Sequence, residues 1–199
     1  MATFIALVRG INVGGHKKIA MADLRDLLLR MGFKDTKSLL NSGNLVFRSK
    51  TLATGRLELL LEAETKKQLS FETHFFVRTT QEWQSVIAHN PFPREAKRDP
   101  GHLVVMLLKK APEPGDLKTL QRAITGNEVI RGEGREAYII YPDGIGRSRL
   151  TNALIESKLG STGTARNWNT VLKLAAISLK NEDSRGKKGG RTRNGFSKS

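Results

Sequence analysis

"TKSLLNSGNLVFRS", residues 36–49, decides the fold. Two short apolar runs flank "NSGN" (41–44), a turn-forming tetrad, so the stretch reads as a β-hairpin. Upstream, Met21, Leu24, Leu27, Leu28 and Met31 recur at helical spacing, and Gly32 follows as a stop. Before that helix, "ATFIALVR" (2–9) is a buried strand. Downstream, Leu57, Leu60, Leu61 and Leu69 mark a helix over 53–69, and "ETHFFVR" (72–78) a further strand. A hairpin set between two helices, with a strand at each end, is β-α-β-β-α-β, the split βαβ or ferredoxin-like order.

The order then recurs. A helix at 80–90 and a polar linker to Pro100 lead to the strand "HLVVMLL" (102–108). A helix (113–124), a hairpin (127–141) and a helix (148–159) follow. "STGTA" (161–165) reads as a closing strand and 166–180 as a last helix. The predicted class is therefore α+β, two ferredoxin-like halves with an additional C-terminal helix. The expected division is 1–90, 91–180 with the final helix, and a basic, disordered tail at 181–199.

Composition limits the chemistry. The 199 residues contain no Cys, which excludes disulfides, thiol catalysis and Cys-bound metals, and suggests a reducing cytoplasm. No apolar run is long enough to span a membrane. The four His residues show no metal-binding spacing, so neither a metal nor a cofactor is expected. Net charge is +15. This favours a polyanionic partner, either nucleic acid or a phosphorylated small molecule. Residues 181–199 carry six Lys/Arg and two acids, so most of the excess lies in the body.

Three segments are candidate anion sites. "RGINVGGHKK" (9–18) has Gly10 and Gly15 at Walker A spacing, but His16 and Lys18 stand where Lys and Ser/Thr belong. A Gly-rich turn accounts for the glycines; Arg9, Asn12 and Lys17 remain as candidate ligand contacts. "PDGIGRSRL" (142–150) brings Arg147, Ser148 and Arg149 to a helix start, with Ser148 as a possible N-cap. Its order is not that of a nucleophile elbow. "RNWNT" (166–170) is read as opening the last helix. There Arg166, Thr170 and Lys173 share one face, beside Asn169, and Trp168, Val171, Leu172, Ala175 and Leu179 form the apolar face. Glu58, Glu62 and Glu64 read as the wet face of their helix. "NSGN" is first a turn. Taking the first and third strands of a half as parallel neighbours, the reading puts "GINVGGHKK" and "PDGIGRS" at one end of their halves. "NSGN" and "RNWNT" then fall at the other.

"ALVRGINVGG", "NSGNLVF", "FVRT", "NPFP", "GRSRL" and "RNWNTVLKL" occur in this order, over about residues 3–180. Together they resemble the bacterial family known as domain of unknown function 1697. Arg149 stands where that family's pattern has Lys, which keeps the charge. The resemblance implies an α+β fold of ferredoxin-like halves and no particular activity.

Two functions are consistent with these residues. One is binding of an anionic ligand through the Gly-rich loops and the Arg, Lys and Asn clusters. The other is an enzyme acting on an anionic small molecule without metal or cysteine. Neither "FVRT" nor "YIIY" forms the aromatic pattern of sequence-specific RNA-binding sheets.

Overall fold

The computed structural model describes residues 1–11, 19–50 and 53–188, with residues 183–188 as helix backbone only. Asn12 and Lys17 lie outside the described residues. The first half contains β1 (Ala2–Val8), α1 (Met21–Arg30), β2 (Lys34–Leu39), β3 (Asn44–Ser49), α2 (Thr54–Leu69) and β4 (Phe75–Thr79). Its sheet has the order β2-β3-β1-β4. Two helices, α3 (Thr80–Ala88) and α4 (Pro93–Arg98), lead to the second half. That half contains β5 (Leu103–Leu108), α5 (Asp116–Ala123), β6 (Val129–Glu133), β7 (Glu136–Ile140), α6 (Asn152–Leu159) and β8 (Gly163–Asn167), in the equivalent order β6-β7-β5-β8. The helix α7 (Trp168–Lys188) closes the fold. Both halves are ferredoxin-like, as the hairpin at 36–49 implies.

Three apolar layers hold the elements. Phe4, Ala6 and Val8 of β1 pack under α1 and α2 with Leu24, Leu28, Leu57 and Leu61. The alternate residues Ile5 and Leu7 face the other way, towards Leu103, Val105 and Leu107 of β5. Alternation in a strand sends neighbours to opposite faces, so burial of both faces explains the unbroken run "TFIALV". Trp83 and Val86 of α3 and Trp168, Val171, Leu174 and Ala175 of α7 complete this central layer. The far face of the second sheet packs on Leu120, Ile155 and Leu159. In the central layer Trp83 Nε1 donates to Val171 O at 3.0 Å, and Tyr138 Oη donates to Val86 O at 2.7 Å. Each aromatic thus buries its body and still satisfies its polar tip.

Strand direction differs from the expectation in one consequential way. β1 pairs with β3 antiparallel, not parallel. The α1 crossover brings β2 back in the direction of β1, and the hairpin then reverses β3. The turn at 40–43 therefore lies beside the end of β1, and Val8 N–H donates to Gly43 O at 2.7 Å. In the second half β7 and β8 are both antiparallel to β5. The segments after them, 141–150 and the start of α7, share one end of the sheet.

Several boundaries also move. The expected polar linker contains α4, which starts at Pro93, where a missing N–H costs nothing. Arg166 and Asn167 belong to β8, not to the last helix. The cap is made by Asn167, whose Oδ1 accepts Thr170 N–H at 3.0 Å and Thr170 Oγ1–H at 2.9 Å. With Arg166 on a strand, the expected Arg166–Thr170–Lys173 helix face does not exist. On α7, Leu174 is buried, whereas Leu172 and Leu179 are exposed. The helix also continues to Lys188, into the stretch expected to be a tail; residues 189–199 lie outside the described residues.

Candidate functional site

The largest departure from the sequence reading concerns Arg166. Its Nε donates to Asn44 Oδ1, and Nη1 to Thr164 Oγ1 at 3.0 Å and Ala165 O at 2.7 Å. Nη2 donates to Val8 O at 3.0 Å and Ser42 O at 2.7 Å. All five guanidinium N–H groups are thereby used inside the protein. Arg166 ties "RNWNT" to "NSGN" and to the end of β1, but it keeps no donor for an outside anion. Burial lowers its guanidinium to about 10, which leaves it charged at neutral pH.

Arg9 is likewise engaged. Its Nε and Nη2 reach both carboxylate oxygens of Glu156 on α6, at 3.0 and 2.8 Å. Glu156 Oε1 also accepts Gly163 N–H at 2.8 Å. Asn169 and Lys173 are exposed on α7, and Thr170 is buried in the cap. Arg9, Arg166 and the α7 residues therefore do not gather around one ligand position. Glu58 and Glu62 are not a wet face. Glu58 is buried and accepts Val77 N–H at 2.9 Å, while Glu62 accepts Phe75 N–H at 2.9 Å, and Lys109 binds both carboxylates.

The two remaining candidates, Arg147 and Ser148, lie in a cleft of about 520 Å³ in the second half. The end of α5, the segment 124–128, the segment 141–150 and α6 form its walls. Leu120, Ile124, Tyr141, Leu150 and Leu154 supply apolar lining. Tyr141 Oη donates to Leu150 O at 3.1 Å; burial and the nearby Glu128 charge push its phenol up, so it stays neutral. Arg147, Arg149 and Lys158 also line the cleft. Among the described residues, no side chain pairs with these three cations. The acids are Asp143 and Glu128, and Glu128 is occupied by Ser148 Oγ, which donates to it. Ser148 Oγ in turn accepts Leu150 N–H at 2.9 Å. Ser148 is therefore not the expected N-cap. Thr151 caps α6, its Oγ1 accepting Leu154 N–H at 3.2 Å, because α6 begins only at Asn152.

Sequence reasoning missed Glu128 and Lys158. They stand 20 positions before and 10 after Ser148 in the chain, and only the β6–β7 hairpin and α6 bring them to it. A residue type without a local motif gives no signal at such separations. Beside the cleft, His102 Nδ1 is 2.6 Å from Asp99 Oδ2, and the His102 ring lies against Gly144. A second cavity of about 790 Å³, between α5, β6 and the proline-rich segment 111–115, mixes Lys118, Arg122 and Arg131 with Glu113 and Glu133.

The family model described as "Protein of unknown function (DUF1697)" matches residues 1–138. The chain belongs to this family. Among solved structures, the chain is similar to that of the conserved bacterial protein SP0830 from Streptococcus pneumoniae. The two share 22% identity with a TM-score of 0.70, over 89% of this chain and 98% of that one. The likeness is one of fold. No curated protein matches the chain. Among the described residues of this DUF1697 member, no helix is long and apolar enough to cross a membrane.

Proposed function

We propose that this protein binds an organic phosphate, a small molecule with an anionic head and an apolar body, in the cleft of its second half. One observation carries the reading. Arg147, Arg149 and Lys158 line a partly apolar cleft of about 520 Å³, and among the described residues none of them forms an ion pair, although Asp143 and Glu128 share the lining. A concave, mostly apolar site with a few convergent polar groups is the usual form of a small-molecule site. Unpaired guanidinium groups there suit an anion that takes two parallel hydrogen bonds. The cleft volume favours a small ligand over a nucleic acid, which would instead use an extended basic surface. The absence of cysteine supports a cytoplasmic setting.

Phenyl phosphate is a suitable probe, titrated by calorimetry. Binding to the intact protein is expected, with a loss of at least about tenfold in the Arg147→Ala, Arg149→Ala double variant. Inorganic phosphate should bind more weakly, since it leaves the apolar lining unused. Equal affinity of the double variant, or a preference for an oligonucleotide over phenyl phosphate, would refute the reading.

A further inference from the structure

We propose that Ser148 is a nucleophile that takes the phosphoryl group from a phosphate monoester bound in the cleft, with Glu128 as its base. This rests on the cleft being the ligand site. It adds a reaction to what would otherwise be a binding protein.

A serine hydroxyl is a weak nucleophile until a neighbouring base accepts its proton. Ser148 Oγ donates to a carboxylate oxygen of Glu128. Its Oγ also accepts Leu150 N–H at 2.9 Å, which fixes the rotamer and leaves a lone pair for attack. Gln121 fixes the backbone around Glu128. Gln121 Nε2 donates to Glu128 O at 3.2 Å, and Gln121 Oε1 accepts Ile130 N–H at 2.7 Å. The carboxylate folds back over Gly126, where a β-carbon would collide with Glu128 Oε2. Both residues line the cleft that holds the three unpaired cations. Nucleophile, base and charge-stabilising groups thus meet in one concavity, the constellation expected of a transfer site. Positioning and charge neutralisation are the main catalytic demands of phosphoryl transfer.

The step balances. Ser148 Oγ attacks phosphorus as its proton passes to Glu128. The Oγ–P bond forms, and the bond between phosphorus and the leaving oxygen breaks with its electron pair on oxygen. Glu128 returns the proton to that oxygen. A monoester and the serine hydroxyl become phosphoserine and an alcohol, and Glu128 ends unchanged.

A hydrogen bond that only staples the loop at 126–128 to the loop at 148–150 would leave Ser148 unreactive. An alkyl fluorophosphonate separates the two roles, since it modifies activated serines by forming an O–P bond with loss of fluoride. Incubated with the full chain and read by peptide mass spectrometry, it should label Ser148, and phenyl phosphate should slow the labelling. Ser148→Ala should abolish the adduct. Glu128→Gln should slow it at least tenfold while still binding phenyl phosphate. If Glu128→Gln unfolds, Glu128→Asp withdraws the carboxylate by one methylene and should show the same slowing. An unlabelled Ser148 in the intact protein, or labelling of the Glu128 variants at the native rate, overturns the proposal. Labelling without phenyl phosphate binding would remove the cleft reading and leave the activated serine standing.

Discussion

The Lys109 ammonium, at the end of β5, donates to Glu58 Oε2 of α2 at 2.7 Å and so joins the two halves through a largely buried charge pair. It also donates to Glu62 Oε1 at 2.8 Å and Phe75 O at 2.6 Å. All three ammonium protons are placed. The two carboxylates also accept backbone N–H groups of β4, so Lys109 clamps α2 and β4 together as it docks the second half. Arg78 and Glu136 repeat the theme at the next contact between the sheets, 2.9 Å apart.

Removing the cation should therefore cost more than losing an exposed ion pair. Lys109→Met leaves Glu58 and Glu62 facing each other, with Arg78 3.9 Å from Glu58 and His74 3.5 Å from Glu62 as the nearby basic groups. A loss of about 3 kcal/mol is expected, because an unpaired carboxylate remains buried. Adding Glu58→Gln should recover part of it. Urea denaturation measures both variants. A loss under about 1 kcal/mol, the range of an exposed pair, would show that the clamp contributes little.

Glu62 should make stability depend on acid pH. Burial alone would raise its carboxyl. The hydrogen bonds from Lys109 and Phe75 N–H, with the charges of Lys109 and His74, outweigh that and hold it below the ordinary glutamate value. A carboxylate depressed in the folded state stabilises above its unfolded pKa, and that contribution is lost as pH falls through the folded one. Glu62→Gln should thus be less stable than the native protein at neutral pH. The gap should begin to narrow below about pH 5, where the unfolded-state carboxyl starts to protonate. A gap that is constant from pH 7 to roughly 3 would assign the effect to shape, not charge.

The fold was legible because its signals are local. Leucine spacing, the turn at 41–44 and the run at 2–9 each specify an element within a short window, and the element order then selects the topology. The site was less legible because its contacts are distant. Arg166 looks like a helix-start cation until β8 pairs with β5, which turns its side chain towards Val8 and Ser42. Glu58 looks like a solvated acid until Lys109, 51 positions away, packs over it. Ser148 and Arg147 were readable from a Gly-rich loop, whereas Glu128 needed the β6–β7 hairpin to reach them. Charged residues in this chain had two alternatives, solvent or an internal partner, and only tertiary packing chose between them.

The glycines of the first Gly-rich segment and of the hairpin separate the same way. Gly10 and Gly43 both have positive φ, +64° and +76°. Among the described residues, a β-carbon at Gly10 would meet nothing within 4 Å, so Gly10→Ala should cost only the backbone strain, about 1 kcal/mol. At Gly43 it would stand 2.8 Å from Val8 Cβ and 2.9 Å from Ile11 Cδ1. Val8 cannot yield, because its own N–H is bonded to Gly43 O and its carbonyl accepts from Arg166. Gly43→Ala must therefore push the turn away from β1 and loosen both bonds, adding about 2 kcal/mol to the strain. Chemical denaturation of the two variants should rank Gly43→Ala well below Gly10→Ala in stability. Equal losses would mean that close approach of the turn to β1 is not what requires glycine at position 43.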